Sequence, residues 1–177
     1  MTGYKFIKEI IFKDETGSTN DDAKMLAKSG DYVGFVIAAE LQTAARGRLS
    51  HSWFSERGAG LGFTIILPPD KTENLTILAG EAVCRALNEA CGVGATIKFP
   101  NDILINGRKV CGILAEACYK NGAAEYAVLG IGINVNNQIF PDWIKNKATS
   151  LYLETGKKQD KRKILDRVLK SFEDEYL

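Results

Sequence analysis

The chain has 177 residues, 45% of them hydrophobic and 25% charged, a composition that supports one domain with a substantial core and argues against global disorder. Its 23 basic and 22 acidic residues nearly cancel, which excludes a global basic field of the kind that gathers nucleic acid or an anionic membrane surface, so any polyanion site must be local. Met1 to Lys13 lacks the uninterrupted apolar stretch of a signal peptide, and no later segment runs to about 18 apolar residues, which leads to the expectation of a cytoplasmic protein with no membrane partner. Cys84, Cys91, Cys111 and Cys118 show no CxxC spacing and share the chain with one histidine, His51; buried reduced thiols are expected rather than a zinc site.

In chain order, Phe6 to Lys13 reads as a strand. The turn-like Glu15-Thr16-Gly17-Ser18-Thr19-Asn20 follows, and then Asp21 to Lys28, whose acidic start and Gly30 stop suit a short helix. Gly34 to Leu41 and Leu61 to Leu67 are apolar runs of strand length, the second closed by Pro68-Pro69. Leu75 to Ala90 places Leu78, Ala82, Leu87 and Ala90 at helical spacing before Gly92. Thr96 to Phe99, Ile103 to Ile105, Val110 to Tyr119 and Glu125 to Val135 read as successive strands, with Asn106-Gly107 and Asn121-Gly122 supplying tight antiparallel turns. Asp160 to Tyr176 returns to helical spacing, with Ile164, Leu165, Val168, Leu169 and Phe172 on one side. The expected class is α+β, a mixed and mostly antiparallel sheet flanked by helices, forming a single domain over 1–177.

Two segments carry candidate chemistry. Gln42 to Gly62 places three of the chain's seven arginines, Arg46, Arg48 and Arg57, among four glycines between two strands. Arginine offers planar, permanently charged donors suited to phosphate, and Gly47 permits close backbone approach. A segment this long with little apolar content points to function or disorder; a solvated basic loop and an RNA contact through arginine and Trp53 are the open alternatives. The second segment is Lys98-Phe99-Pro100-Asn101-Asp102, followed by Lys109-Val110-Cys111-Gly112-Ile113-Leu114. If the intervening hairpin forms, Lys98 and Lys109 share one mouth, where one could neutralise phosphate and the other a reacting carboxylate. Asp102 could hold magnesium or orient a lysine. Gly112 fits either close ligand approach or a bulge. The run Gly130-Ile131-Gly132-Ile133-Asn134 lacks the third glycine and following helix of a dinucleotide fingerprint. His51 reads as an exposed loop residue, and Asn134 could satisfy its own turn or bond a ligand.

Taken in order, GSTN at 17–20, Q-x-x-x-R-G-R at 42–48 with Trp53, KFPND at 98–102, KVCGIL at 109–114 and GIGINVN at 130–136 resemble the biotin protein ligases. The resemblance implies a fold akin to class II aminoacyl-tRNA synthetases. It also implies a two-step reaction in which biotin and MgATP give biotinyl-5′-AMP, and a lysine of a biotin carboxyl carrier domain then displaces AMP. By the same resemblance Ser18, Thr19, Asn20, Gln42, Arg46, Gly47 and Arg48 look like biotin ligands. Lys109 matches the lysine between biotin carboxylate and adenylate phosphate, and Gly112, Gly130 and Gly132 would floor the biotin pocket. Trp53, Lys98, Asn101, Asp102 and Asn134 would lie on the ATP side together with Arg46, with Asp102 a candidate for Mg2+. Arg46 and Lys109 are the expected catalytic residues, and the segment from Arg46 to Gly58 is expected to be disordered without ligand and ordered with it.

The sequence departs from the family pattern at Ala45, where a glycine commonly precedes the arginine, at Ser50, and at Phe99, where tryptophan is usual. Alanine restricts the backbone, and phenylalanine lacks the indole N–H. No amino-terminal helix-turn-helix domain or carboxy-terminal β-domain is recognised, so no DNA partner is expected, and exposed strand edges offer a surface for a homodimer. A lipoate ligase or related acyltransferase of the same superfamily, and a non-catalytic ligand- or RNA-binding module, are the competing readings.

Overall fold

Alternation along the strands decides which face of a sheet becomes the core. In the computed structural model, which describes residues 3–69 and 74–177, seven strands form one sheet: β1 (Glu9–Thr16), β2 (Phe35–Gln42), β3 (Gly60–Leu67), β4 (Thr96–Lys98), β5 (Asp102–Ile105), β6 (Arg108–Lys120) and β7 (Ala123–Asn134). Their order is β1-β2-β3-β7-β6-β5-β4, with β1 parallel to β2 and every other neighbour antiparallel. This is the mixed, mostly antiparallel, helix-flanked sheet expected from the sequence.

Phe63 and Ile65 of β3, Leu129, Ile131 and Ile133 of β7, and Cys111 and Ile113 of β6 belong to the main core, which α2 (Leu75–Cys91) and α4 (Lys161–Tyr176) complete with Val83, Leu87, Leu165, Val168 and Phe172. The intervening residues turn to the opposite face. There α1 (Thr19–Ser29) packs Ala23 among Ile37, Ile66, Tyr126 and Val128, and beside them that face carries Gly62, Thr64, Gly112, Gly130 and Gly132.

Local chemistry ends the elements where the sequence indicated. The Asp160 carboxylate accepts from the Arg162 and Lys163 amides at 2.9 and 3.2 Å, capping α4. Asn106-Gly107 and Asn121-Gly122 both take positive φ at two successive residues, the twist that a two-residue hairpin requires. A five-residue helix, α3 (Leu151–Thr155), was not expected; Ser150 caps it by accepting from the Leu153 amide, and Gly156 closes it with φ 68°.

The first strand is displaced from its expected span, starting at Glu9 rather than Phe6 and running into the first two residues of the expected turn, to Thr16. The Glu173 carboxylate, which is buried, accepts from the amides of Lys5, Phe6 and Ile7 at 3.0, 2.6 and 2.7 Å. Those amides are thereby tied to α4, while Glu15 and Thr16 pair with Leu41 and Gln42. Hydrogen bonds to a charged group are worth roughly 1.5–3 kcal/mol each in favourable cases. Truncation in Glu173→Ala is therefore expected to lower unfolding free energy by about 2–4 kcal/mol, measured by urea denaturation; a loss below about 0.5 kcal/mol would show that the N-terminal segment is not held this way.

Candidate active site

The site begins with missing side chains. Cross-strand register sets Gly62 of β3 beside Gly132 of β7, and Gly132 beside Gly112 of β6, a lane with no side chains of its own across three strands on the face opposite the main core; over Gly62 the Gln42 side chain takes the space. The Trp53 indole, from the segment between β2 and β3, lies along it. A Cβ on Gly132 would fall 2.7 Å from Trp53 Cε2, and one on Gly112 would fall 3.0 Å from Cζ3. Only glycine allows this approach.

Lys109 reaches the same face through a β-bulge. Ile103 opposes Cys111 and Leu104 opposes Lys109, so Val110 has no partner across the ladder. Val110 and Cys111 are consequently both buried in the core, and the phase of the strand reverses. The Lys109 stem then approaches Gly112, whose Cβ position lies 3.2 Å from Lys109 Cε. The Lys109 ammonium sits 2.6 Å from Asp102 Oδ1 and 5.4 Å from the Trp53 ring centre.

Two chambers meet at this wall. The first, about 340 Å³, is lined by the start of α1, the end of β2, residues 45–49 and Gly112 and Gly132 of the lane. The second, about 380 Å³, is lined by Lys98, Leu104, Asn134, Trp143 and Lys147 among others. Ser52, Trp53, Asp102 and Lys109 line both.

The first chamber ends in a hydrogen-bonded polar cluster. Gln42 Oε1 accepts from the Thr19 amide at 2.8 Å and lies 3.0 Å from the Thr19 hydroxyl. The Thr64 hydroxyl is 2.8 Å from Thr19 Oγ1 and 2.6 Å from Asn20 Oδ1. Asn20 Nδ2 donates to Glu116 at 2.7 Å, and Lys24 closes on the other Glu116 oxygen at 2.7 Å. Burial pushes the Glu116 carboxyl up, but the hydrogen bonds from Lys24 and Asn20 and the nearby Arg46 charge hold it below the usual glutamate value. At the chamber's lip Arg46 makes a bidentate pair with Asp21, whose carboxyl is held down chiefly by that hydrogen bond.

The residues singled out from the sequence distribute as follows. Ser18, Thr19, Asn20, Gln42, Arg46, Gly47, Arg48, Lys109, Gly112, Gly130 and Gly132 all line the first chamber, with His51 also at its edge. Trp53 and Asp102 stand in the shared wall, and Lys98 and Asn134 line the second. Asn101 lines the first chamber rather than the second; its side-chain NH2 donates to Ile113 O at 3.0 Å, and its backbone carbonyl accepts from the Ile113 amide at 2.9 Å. Gly130 is not open floor either, since the Asn20 side chain occupies the space a Cβ would need. Asn134 is committed to the backbone, donating to Thr149 O at 3.0 Å and Lys109 O at 3.5 Å. Sequence reasoning missed Thr64, Glu116, Lys24 and Trp143. A threonine inside the apolar run LGFTIIL was the one available signal.

A sequence model of the biotin/lipoate A/B protein ligase family matches residues 14–134. The chain belongs to the biotin/lipoate A/B protein ligase family. It is 42% identical over 175 residues to the bifunctional ligase/repressor BirA of Bacillus subtilis, covering 96% of this chain and 54% of that protein. It is 35% identical over 166 residues to the biotin–[acetyl-CoA-carboxylase] ligase of Paracoccus denitrificans, covering 89% of this chain and 68% of that one. Among solved structures it superposes on the biotin protein ligase of Aquifex aeolicus in complex with biotin and ATP, with TM-score 0.84, 35% identity, and coverage of 96% of this chain and 70% of that one. The Leishmania major biotin protein ligase in complex with biotinyl-5-AMP gives TM-score 0.78 and 25% identity over 94% of this chain and 74% of that one. The fold is thus that of the biotin protein ligases, and the expected likeness to class II synthetases holds. The chain spans about half the length of the bifunctional relatives it matches.

One acidic residue away from the polar cluster supports the second chamber of this ligase-family domain. Glu154 takes hydrogen bonds from Thr149, Asn106 and Arg108 at 2.5, 2.8 and 2.7 Å, tying the turn after β5 to the segment that flanks Lys109. Burial pushes its carboxyl up, but those donors and the Arg108 charge outweigh it and hold the group below its usual value of 4.5. A depressed folded-state value means that the stabilisation is present above the usual value and lost as pH falls through the folded one. Glu154→Gln should be less stable than the parent by about 1–3 kcal/mol at pH 7, and the two denaturation curves should draw together as the pH falls below the usual carboxyl value and through the lower folded-state one. A gap that persists at low pH would assign the effect to shape rather than charge.

Proposed function

We propose that this domain carries the chemistry of a biotin protein ligase: it activates biotin with ATP to biotinyl-5′-AMP and passes biotin to a lysine of a biotin carboxyl carrier domain. The observation that carries this reading is Lys109, turned by its bulge into the wall between a polar-ended chamber and a second, cation-lined chamber, in a chain of the biotin/lipoate ligase family. The relatives' complexes with biotin and ATP and with biotinyl-5-AMP support the choice of reactants.

In the first step a biotin carboxylate oxygen attacks the α-phosphorus of ATP, and the bond to pyrophosphate breaks. Both reactants are anions, so the barrier includes their mutual repulsion, and fixed positive charge at the meeting point lowers it. Lys109 stands at that point, and Arg46 approaches from the chamber's lip. The polar cluster at the far end would orient biotin's ring, with its saturated chain directed along the chamber toward Lys109. In the second step the acceptor amine attacks the acyl carbon, AMP leaves with the bonding pair, and the ammonium proton is lost to solvent. Mg2+ would screen the nucleotide's phosphates. Asp102 fits as its one protein carboxylate, since Mg2+ favours oxygen donors and completes its shell with phosphate and water. Among the described residues no group of three acidic, histidine or cysteine side chains converges to form a protein-only cage.

The acyl-adenylate needs shielding from water, and the segment around Arg46 to Gly58 is placed to provide it. Free cysteines and dependence on ATP suit a cytoplasmic setting, and among the described residues no helix is long and apolar enough to cross a membrane.

Incubation with MgATP, biotin or lipoate, and a carrier domain, followed by mass spectrometry, should add one biotin to one lysine; a lipoyl increment alone would favour the lipoate reading. Lys109→Ala and Arg46→Ala should each lower the rate of adenylate formation by about 10²–10³-fold, read by pyrophosphate release. Saturating biotin should protect the 46–58 segment from limited proteolysis, and equal cleavage with and without ligand would count against closure.

A further inference from the structure

The polar end of the first chamber contains more acceptors than protons. Three oxygen–oxygen contacts link Asn20, Thr64, Thr19 and Gln42, at 2.6, 2.8 and 3.0 Å. Each threonine hydroxyl brings one proton, so two protons serve three contacts. Gln42 cannot supply the third, because its carbonyl oxygen is held toward this cluster by the Thr19 amide at 2.8 Å. Asn20 could supply it by turning its NH2 group toward Thr64, but Glu116 prevents that. An ionised carboxylate only accepts, so the Asn20 NH2 must face Glu116 and the Asn20 oxygen must face Thr64. Lys24 holds the other carboxylate oxygen, and Gly130 gives the Asn20 amide its room. Thr64, Thr19 and Asn20 are buried, which keeps bulk water from masking the deficit.

We propose that Glu116 is a positioning residue that fixes the direction of the Asn20 amide, leaves this cluster one proton short, and so makes the chamber select an acid that brings a ring N–H donor. This rests on the biotin reading and deepens it: the urea of biotin supplies the missing proton, whereas the dithiolane of lipoate has no N–H to give. Glu116 touches no substrate and acts through Asn20 and Thr64.

The charge on Glu116 is what sets the direction. In Glu116→Gln, Lys24 claims the oxygen of the introduced amide and leaves its NH2 facing Asn20. Asn20 then turns its own oxygen toward that NH2 and its own NH2 toward Thr64, and the cluster is complete without a ligand. The ligand's N–H loses its acceptor, a change worth about 10–100-fold in affinity.

The test is calorimetric titration of the intact chain with biotin and with its two cyclic carbamate analogues, in each of which one ring N–H is replaced by oxygen. The parent should bind at least one carbamate about 10–100-fold more weakly than biotin. In Glu116→Gln biotin should weaken by a similar factor while that carbamate barely changes, so the ratio collapses toward one. Lys24→Met, which keeps an acceptor facing Asn20, should retain the parent's ratio. Adenylate formation at saturating biotin should stay within about threefold in Glu116→Gln, placing the effect in KM rather than kcat. An unchanged ratio in Glu116→Gln, or a parent that binds both carbamates as well as biotin, overturns the role given to Glu116 and leaves the biotin reading standing. A parent that binds no biotin overturns both.

Discussion

The lane of absent side chains on one face of the sheet is the constraint from which the site follows. A strand contributes its alternate residues to each face, and a sheet covered on both faces normally fills both with bulk. Here Gly62, Gly132 and Gly112 stand abreast on β3, β7 and β6, while their strand neighbours Leu61, Phe63, Ile131, Ile133, Cys111 and Ile113 are buried in the main core. The backbone is thereby open to approach while the residues on its other face are fully committed to the core. Trp53 uses that opening, which anchors an otherwise polar and glycine-bearing segment to the sheet and closes the partition between the two chambers. Lys109 depends on the same lane, since its stem runs beside Gly112.

The charges around this lane are arranged in pairs that are inexpensive to exchange. Arg46 with Asp21 and Lys109 with Asp102 are partly solvated, and ion pairs of that kind contribute only about 0–1 kcal/mol. An arriving carboxylate or phosphate can therefore compete for either cation without a large penalty, while before it arrives neither cation is left unpaired in a partly dry cleft. Lys24 with Glu116 differs. That carboxylate also holds Asn20, so its charge is coupled to the direction of an amide and beyond it to Thr64, and it is part of the framework rather than a placeholder.

Much of this architecture was legible in the sequence. The asparagine–glycine hairpins, the long helix before Gly92 and the amphipathic final helix all rest on local chemistry that does not depend on distant residues. The residues gathered around the first chamber were named from motifs, and the structure brings them together. What could not be read was the phase of β6. From the sequence, Lys109 and Cys111 share one parity and should share one face; only the pairing with β5 leaves Val110 over and reverses it. The start of β1 failed for a related reason, because Glu173, far along the chain, captures the amides of residues 5–7. Asn101 reads as a ligand by its motif, and the sequence does not reveal that its side-chain NH2 and its backbone carbonyl both bond Ile113. Glu116 sits in a strand where an acidic residue normally means solvent, and nothing local announces that its partners come from α1.

The bulge explains why the lysine proposed for catalysis can sit on a buried strand at all. Without it, regular alternation would direct Lys109 into the main core with Cys111 and Ile113, where an unpaired ammonium is strongly disfavoured; the alternative register would turn Gly112 inward and carry bulky side chains onto the lane. Moving the strand by one residue cannot satisfy both demands, because every side chain downstream would change face together. Absorbing one residue at Val110 does satisfy them. It keeps Cys111 and Ile113 in the core, keeps Gly112 on the lane, and brings Lys109 out beside it, at the one place where the two chambers share a wall.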